Sequence, residues 1–257
     1  MTAIIHQFLC LKDNFGVLVH DPRTGATAAV DAPDSAPILS ALAEKGWRLS
    51  DILITHHHAD HVQGIGGLKA AFPGARVIGP LREADKIDAA LDVAVGEGDR
   101  VAVGVLEIAA LDVPGHTSGH VAYWLPEEAL LFAGDTLFAM GCGRGFEEPA
   151  AVLFRSLMKL AGLPIETKVY CGHEYTLANA RFALAVDPGN ANLRLRAQEV
   201  SRRREAGEFT LPTTIALELA TNPFLRADEL DIQSMVGLRG AEPAAVFAEL
   251  RERKNRA

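Results

Sequence analysis

Thr55-His56-His57-His58-Ala59-Asp60-His61 is the stretch whose reading decides the fold. It follows Ile52-Leu53-Ile54, an apolar run that reads as a buried strand. It precedes Val62 to Phe72, in which Ile65, Leu68 and Phe72 recur at helical spacing. The histidines therefore sit at the carboxyl end of a strand, where open α/β sheets bind their ligands. His56 and His58, two apart, can face one centre from an extended loop. Asp60 and His61 follow where the helix begins and can face a second. Four imidazole or carboxylate groups in six residues suggest a pair of metal ions.

Working outward, further candidates recur in the same setting, just past a strand. Leu106 to Val113 is β-rich and ends at Pro114-Gly115-His116-Thr117. Val121 to Leu125 and Leu130 to Ala133 read as two more strands, and the second delivers Gly134-Asp135-Thr136. Lys168 to Tyr170 delivers Cys171-Gly172-His173-Glu174-Tyr175. A sheet brings its strand ends to one edge, so the distance along the chain between His61, His116, Asp135 and His173 is no obstacle. Near the amino terminus, Ala3 to Ile5, Phe15 to His20 and Thr27 to Val30 read as strands. Asp31, which ends the third, can hold a ligating imidazole in one tautomer or cap a turn.

Helices alternate with these strands. Asp34 or Ser35 caps one that runs through Ile38, Leu39 and Leu42 to Gly46, and Pro149 opens another with Leu153, Leu157 and Leu160 on one face. Past residue 175 the strands thin out. Thr176 to Val186, Asn190 to Glu205 and a last segment from Pro243 read as helices, with Leu211 to Leu225 as a connector. The expected organisation is an α/β metal-binding catalytic domain over residues 1–175 and a smaller α-helical domain over 176–257.

The bulk numbers narrow the function classes. The chain has 257 residues, is 49% hydrophobic and 23% charged, and carries a formal charge of −8. Such a balance fits a soluble globular protein and argues against a nucleic-acid or acidic-membrane partner. No run approaches 18 consecutive apolar residues, and no basic segment followed by an apolar stretch marks a signal peptide. Three scattered cysteines, Cys10, Cys142 and Cys171, make no disulfide framework and point to a reducing, cytoplasmic setting.

The seven candidates divide into His56, His58 and His116 on one side and Asp60, His61 and His173 on the other. Asp135 can bridge, because its two oxygens can reach two ions. Nitrogen and carboxylate ligands without thiolate suit zinc, iron or manganese. Two such cations can share a water and lower its pKa towards about 7. The resulting hydroxide implies hydrolysis of an acyl or phosphoryl group, and a thioester is an easier substrate than an amide because a thiolate leaves without a general acid.

The phrases T-H-x-H-x-D-H at 55–61, G-H-T at 115–117, G-D-T at 134–136 and G-H-E at 172–174 resemble the metallo-β-lactamase superfamily. That resemblance implies an αββα sandwich with a dinuclear site at one edge. Gly134 to Phe138 with Gly141-Cys142-Gly143-Arg144, Cys171 to Thr176, Thr221 to Arg226 and Arg251 to Lys254 resemble the glyoxalase II family more closely, over nearly the whole chain. This second resemblance implies hydrolysis of S-D-lactoylglutathione to D-lactate and glutathione in methylglyoxal detoxification. It also implies two divalent ions, zinc first, a hydroxide oriented by Asp60, and a monomeric enzyme. It places Arg144, Tyr175, Arg251 and Lys254 on the glutathione part of the substrate; Arg251 and Lys254, three apart, share a helix face. Phe146 stands where the family often has a tyrosine. The rival reading is a glutathione persulfide dioxygenase with one iron on the same fold.

Overall fold

The computed structural model describes residues 2–256. Contacts divide them into two compact units, one running to Asp112 and taking in Thr117–Gly134, the other made of Val113–His116 and the chain from Asp135 on. That division is by packing, whereas the boundary expected near residue 175 parts the chain by motif.

In the first unit, β1 (Ile4–Leu9), β2 (Phe15–His20) and β3 (Thr27–Val30) form an antiparallel meander. Parallel strands β4 (Asp51–Leu53), β5 (Arg76–Pro80) and β6 (Val93–Val95) extend it to a six-stranded sheet in sequence order. Helix α1 (Ser35–Lys45) crosses between β3 and β4. It starts where Asp34 accepts the Ala36 N–H and stops at Gly46, whose φ of 67° lets Trp47 N–H reach the Leu42 carbonyl at 2.9 Å.

The helix expected from residue 62 to 72 is two pieces, α2 (Ala59–Val62) and α3 (Ile65–Ala71). The break is at Gly64, where an added Cβ would lie 2.8 Å from both the Ala32 carbonyl oxygen and the Ser35 nitrogen. The close approach of this backbone leaves room for no side chain at position 64. Ile38, Leu42, Ile65 and Leu68 pack on Leu18, Ile52 and Ile54 of the sheet, each fully buried aliphatic side chain contributing about 1.5–3 kcal/mol.

Strands β7 (Arg100–Val103), β8 (Leu106–Asp112), β9 (Val121–Leu125) and β10 (Leu130–Phe132) follow as an antiparallel ladder. The fully buried Tyr123 of β9 donates its hydroxyl to the carbonyl oxygens of Ile54 (2.8 Å) and Ile78 (3.3 Å), tying the ladder to the ends of β4 and β5. Burial pushes the Tyr123 phenol well above its ordinary pKa, so the donor is kept.

The second unit holds a two-strand hairpin, β11 (Leu137–Phe138) with β12 (Gly141–Cys142), then α4 (Ala150–Ala161) and β13 (Lys168–Tyr170). Helices α5 (Thr176–Val186) and α6 (Ala191–Glu205) follow, then β14 (Thr213–Thr214), α7 (Ile215–Thr221), α8 (Leu230–Met235) and α9 (Pro243–Arg256). The stretch 211–225, expected as a connector, thus contains a strand paired with β13 and a helix. Its threonines mislead because Thr214 is a cap, accepting the Leu217 N–H at 3.2 Å. The β11–β12 hairpin and α8 were not legible either, being too short for a periodicity. Phe154, Phe182, Phe224 and Phe247 make a contiguous aromatic chain with centroids 5.2 to 5.8 Å apart. No helix among the described residues is long and apolar enough to cross a membrane.

Candidate metal centre

The loop Thr55–His61 follows β4 and is anchored to the end of β3 by the Asp31 carboxylate. Asp31 ends β3 with φ 56°, a left-handed conformation uncommon outside glycine. It accepts the Thr55 N–H at 2.8 Å, the Thr55 hydroxyl at 3.0 Å and His61 Nδ1 at 2.8 Å. Asp31 thus bonds both the loop backbone and the His61 ring.

These bonds assign tautomers. Thr55 spends its hydroxyl hydrogen on Asp31, so at 3.0 Å it can only accept from His56 Nδ1. His116 Nδ1 lies 2.9 Å from the carbonyl oxygen of Arg144 and must donate to it. His56, His61 and His116 therefore each carry the proton on Nδ1 and present the Nε2 lone pair, as second-sphere bonds do for ligating imidazoles.

Those lone pairs converge. His56 Nε2 faces His58 Nδ1 at 3.1 Å, and the His56 and His61 rings are 4.1 Å apart. His61 Nε2 is 3.7 Å from Asp60 Oδ2. Asp135 Oδ2 is 3.5 Å from His116 Nε2 and 3.3 Å from His173 Nε2. Three groups of described residues offer ligand atoms all within 4.8 Å of one another: His56, His58 and His116; His56, His61 and Asp135; Asp60, His61 and His173. Asp135 falls with one histidine from each of the other groups. Buried acceptor nitrogens directed at one another and at a carboxylate fit a cation, so the donor set suits a dinuclear metal site.

Two residues support this loop that sequence reasoning passed over. Asn14, buried in the β1–β2 turn, donates its amide to the Asp60 carbonyl at 3.1 Å and to Asp60 Oδ2 at 3.0 Å. Glu83, fully buried, accepts the His57 N–H and faces His57 Nδ1 at 2.8 and 2.9 Å, and takes the Gly119 N–H at 2.9 Å. His57 accordingly turns away from its neighbours' centre. Neither carried a local signal: Asn14 follows Lys12 and Asp13 in an ordinary polar turn, and Glu83 lies in the short turn Leu81–Glu83. His120 stacks on His56 at 4.7 Å, and His20 stacks on Trp47 at 4.3 Å, which leaves both as packing residues.

The expected substrate-binding residues lie in the second unit. Tyr175 stacks flat on His173, centroids 4.7 Å apart and 2° from parallel, and stays 39% exposed. Phe146 sets its ring 5.2 Å from His116 and is 61% exposed. Arg144 is exposed. Arg251 is buried over the Phe224 ring and donates Nη1 to the carbonyls of Cys142 (2.8 Å) and Gly143 (3.4 Å), so it also holds the segment that carries Arg144. Lys254 is half-buried, donates to the Ala178 carbonyl at 3.2 Å and lies 5.3 Å from the Phe182 ring centroid. Desolvation, then the like charges of Arg251 and Arg144, push the Lys254 pKa down. Cations that repel one another in this way make a field suited to an anion.

A family model described as the metallo-beta-lactamase superfamily matches residues 13–173, and one described as the hydroxyacylglutathione hydrolase C-terminus matches residues 174–257. The chain is 54% identical over 248 residues to the hydroxyacylglutathione hydrolase of Rhizobium meliloti (strain 1021), covering 96% of each. It is 52% identical over 256 residues to that of Rhodopseudomonas palustris (strain BisA53), covering 100% of both. A crystal structure of TTHA1623 in a di-iron-bound form is similar at a TM-score of 0.61 and 27% identity, covering 86% of this chain and 100% of that one.

Proposed function

Because the chain belongs to the hydroxyacylglutathione hydrolase family, within the metallo-β-lactamase superfamily, we propose that its site cleaves S-D-lactoylglutathione to D-lactate and glutathione. The observation that carries this reading is the grouping of seven nitrogen and carboxylate donors, with Asp135 among histidines of both sets. His56, His58 and His116 would hold one divalent ion, and Asp60, His61 and His173 the other, with Asp135 shared. Zinc is the first choice, with iron or manganese able to replace it. A cation pair so bound lowers the pKa of a shared water towards neutrality and polarises a thioester carbonyl.

The residues of the chain do the rest. Asp60, its Oδ2 steadied by the Asn14 amide, orients the attacking water. Asp31, Thr55 and the Arg144 carbonyl keep three imidazoles in the ligating tautomer. Carbon–oxygen bond formation turns the carbonyl into a tetrahedral oxyanion, whose collapse breaks the carbon–sulfur bond, and glutathione leaves as a thiolate that needs no acid. Arg144, Arg251 and Lys254 supply positive charge for the glutathione carboxylates and Tyr175 a hydroxyl beside His173. On this reading residues 1–175 carry the metal chemistry together with Arg144 and Tyr175, and residues 176–257 form the glutathione-binding domain that adds Arg251 and Lys254. The enzyme acts as a cytoplasmic monomer in methylglyoxal degradation, with no nucleic-acid or membrane partner.

The test is loss of thioester absorbance from S-D-lactoylglutathione with and without chelator, with metal content and oxygen uptake followed in the same sample. Chelator-sensitive hydrolysis at two ions per chain and no oxygen uptake is the expected result. One iron with oxygen consumption would overturn it in favour of the dioxygenase.

The lowered Lys254 pKa gives a pH signature. A lysine whose pKa is depressed keeps its charge below that value and loses it as pH rises through it. KM is therefore expected to climb in alkali at a pH below the ordinary lysine range, and Lys254→Arg, which stays charged, to remove that rise. Lys254→Ala is expected to raise KM roughly tenfold at neutral pH, about 1.4 kcal/mol, with kcat little changed. A kcat loss larger than the KM change would count against a binding role.

A further inference from the structure

We propose that Glu218 of α7 is a positioning residue for the metal centre, acting through the turn of the β11–β12 hairpin. The proposal rests on the reading of Asp135 and His116 as metal ligands, and takes it to a part of the chain that carries no ligand.

The hairpin spans the interval between Asp135 and Arg144, and both ends of that interval matter to the centre. Asp135 is the shared carboxylate, and the Arg144 carbonyl sets the His116 tautomer. The two ends are also in contact: Gly143 donates its N–H to the Thr136 carbonyl at 3.1 Å, and an added Cβ on Gly143 would collide with the Asp135 carbonyl oxygen. A shift of the hairpin therefore moves Asp135 and the support of His116 together.

Burial anchors its apolar side chains, Leu137 and Met140 among them, but a hairpin this short does little to fix its own backbone. It has two residues per strand, and its turn carries Met140 at φ 53°, a conformation that disfavours a residue with a side chain. The restraint comes from side chains that grip its backbone. Glu218 accepts the Met140 N–H at 2.8 Å. Asn222 donates to the Gly141 carbonyl at 2.9 Å and the Phe138 carbonyl at 3.3 Å, and Asn179 donates to the Ala139 carbonyl at 3.1 Å. The missing side chain of Gly141 makes room, since a Cβ there would lie 2.5 Å from Asn179 Nδ2.

Glu218 is the centre of this grip. It is fully buried and takes hydrogen bonds from four donors: Arg196 Nη2 (2.6 Å), the Thr213 hydroxyl (2.6 Å), Met140 N–H (2.8 Å) and Asn222 Nδ2 (3.0 Å). Arg196, itself buried, neutralises the carboxylate and also bonds the Thr221 hydroxyl. A buried charge with every neighbour a donor has one stable orientation, and that orientation fixes the turn.

Glu218→Gln tests this, because an amide of the same shape must direct its own NH2 at one of these donor pairs. Zinc affinity of the apoprotein, read by competition with a chromophoric chelator, is expected to fall at least about tenfold, the range seen for second-sphere changes at metal sites. Leu42→Ala, on the buried face of α1, serves as the comparison: it costs stability without touching the hairpin and is expected to leave zinc affinity unchanged. A folded Glu218→Gln protein that binds zinc like the wild type overturns the proposal, and so does an equal loss in Leu42→Ala. Should Glu218→Gln not fold, Asn179→Ala removes only the donor to the Ala139 carbonyl. There a loss of roughly threefold or more is expected, and unchanged affinity overturns the proposal. Zinc binding is read without substrate, so an inactive wild type would refute the thioesterase reading and leave this test standing.

Discussion

Asp135→Ala is expected to lose metal and activity in the same sample, with kcat/KM falling by more than about 10³-fold, or about 4 kcal/mol of transition-state stabilisation. The argument is geometric. Asp135 Oδ2 is within 3.5 Å of the ligating nitrogens of both His116 and His173, and its side chain also groups with His56 and His61. No other carboxylate among the described residues stands in that relation to both sets. Removing it takes away a ligand common to two ions and leaves buried imidazoles to face one another, so neither ion is held in position to share a water. Metal content measured alongside turnover checks the result. Full activity with two ions retained would show that Asp135 does not bridge.

Asp31→Ala is expected to do its damage through stability as well as metal. The carboxylate is buried and serves three donors, the Thr55 amide, the Thr55 hydroxyl and His61 Nδ1. Leaving buried donors without an acceptor costs about 1–3 kcal/mol each, and alanine at φ 56° adds about 1 kcal/mol of left-handed strain. The sum is on the order of 4–10 kcal/mol, comparable to an ordinary domain's whole stability. Metal affinity is expected to drop about 10–100-fold through the freed His61 and His56 rings. Asp31→Asn separates the two contributions, because asparagine tolerates the left-handed conformation but cannot accept on both sides. Its denaturation midpoint should lie between wild type and alanine while its metal affinity falls nearly as far. An alanine variant as stable as wild type would mean that Asp31 does not organise the loop.

The candidate ligands were legible from sequence because each sits in a short phrase at the end of a strand, where local spacing carries the information: His56, His58, Asp60 and His61 in six residues, and His116, Asp135 and His173 each beside a glycine. The supports were not. Asn14 meets Asp60 across 46 residues, Glu83 meets Gly119 across 36, and Glu218 meets Met140 across 78. Nothing in the local pattern distinguishes such residues from solvated polar ones, because what makes them special is burial, and burial is a property of the packed chain. Arg251 illustrates the same limit. Its i, i+3 spacing with Lys254 placed the two on one helix face, yet tertiary packing set Arg251 beneath, against the Cys142 and Gly143 carbonyls, while Lys254 remained partly exposed.

Secondary structure divides along the same line. Helices with caps and a full apolar stripe, such as α1 and α4, follow from local propensity and were readable as such. The break at Gly64, the turn at Met140 and the helix α7 depend on what lies opposite them. Short-range pattern was enough for the chemistry on offer, seven candidate metal-binding side chains at strand ends in an α/β chain, because donor identity and strand-loop periodicity are written within a few residues. Only the tertiary structure decided the tautomers, the carboxylates that hold the loop and the grip on the hairpin, because each is a contact between buried groups far apart in the chain, created when the chain folds.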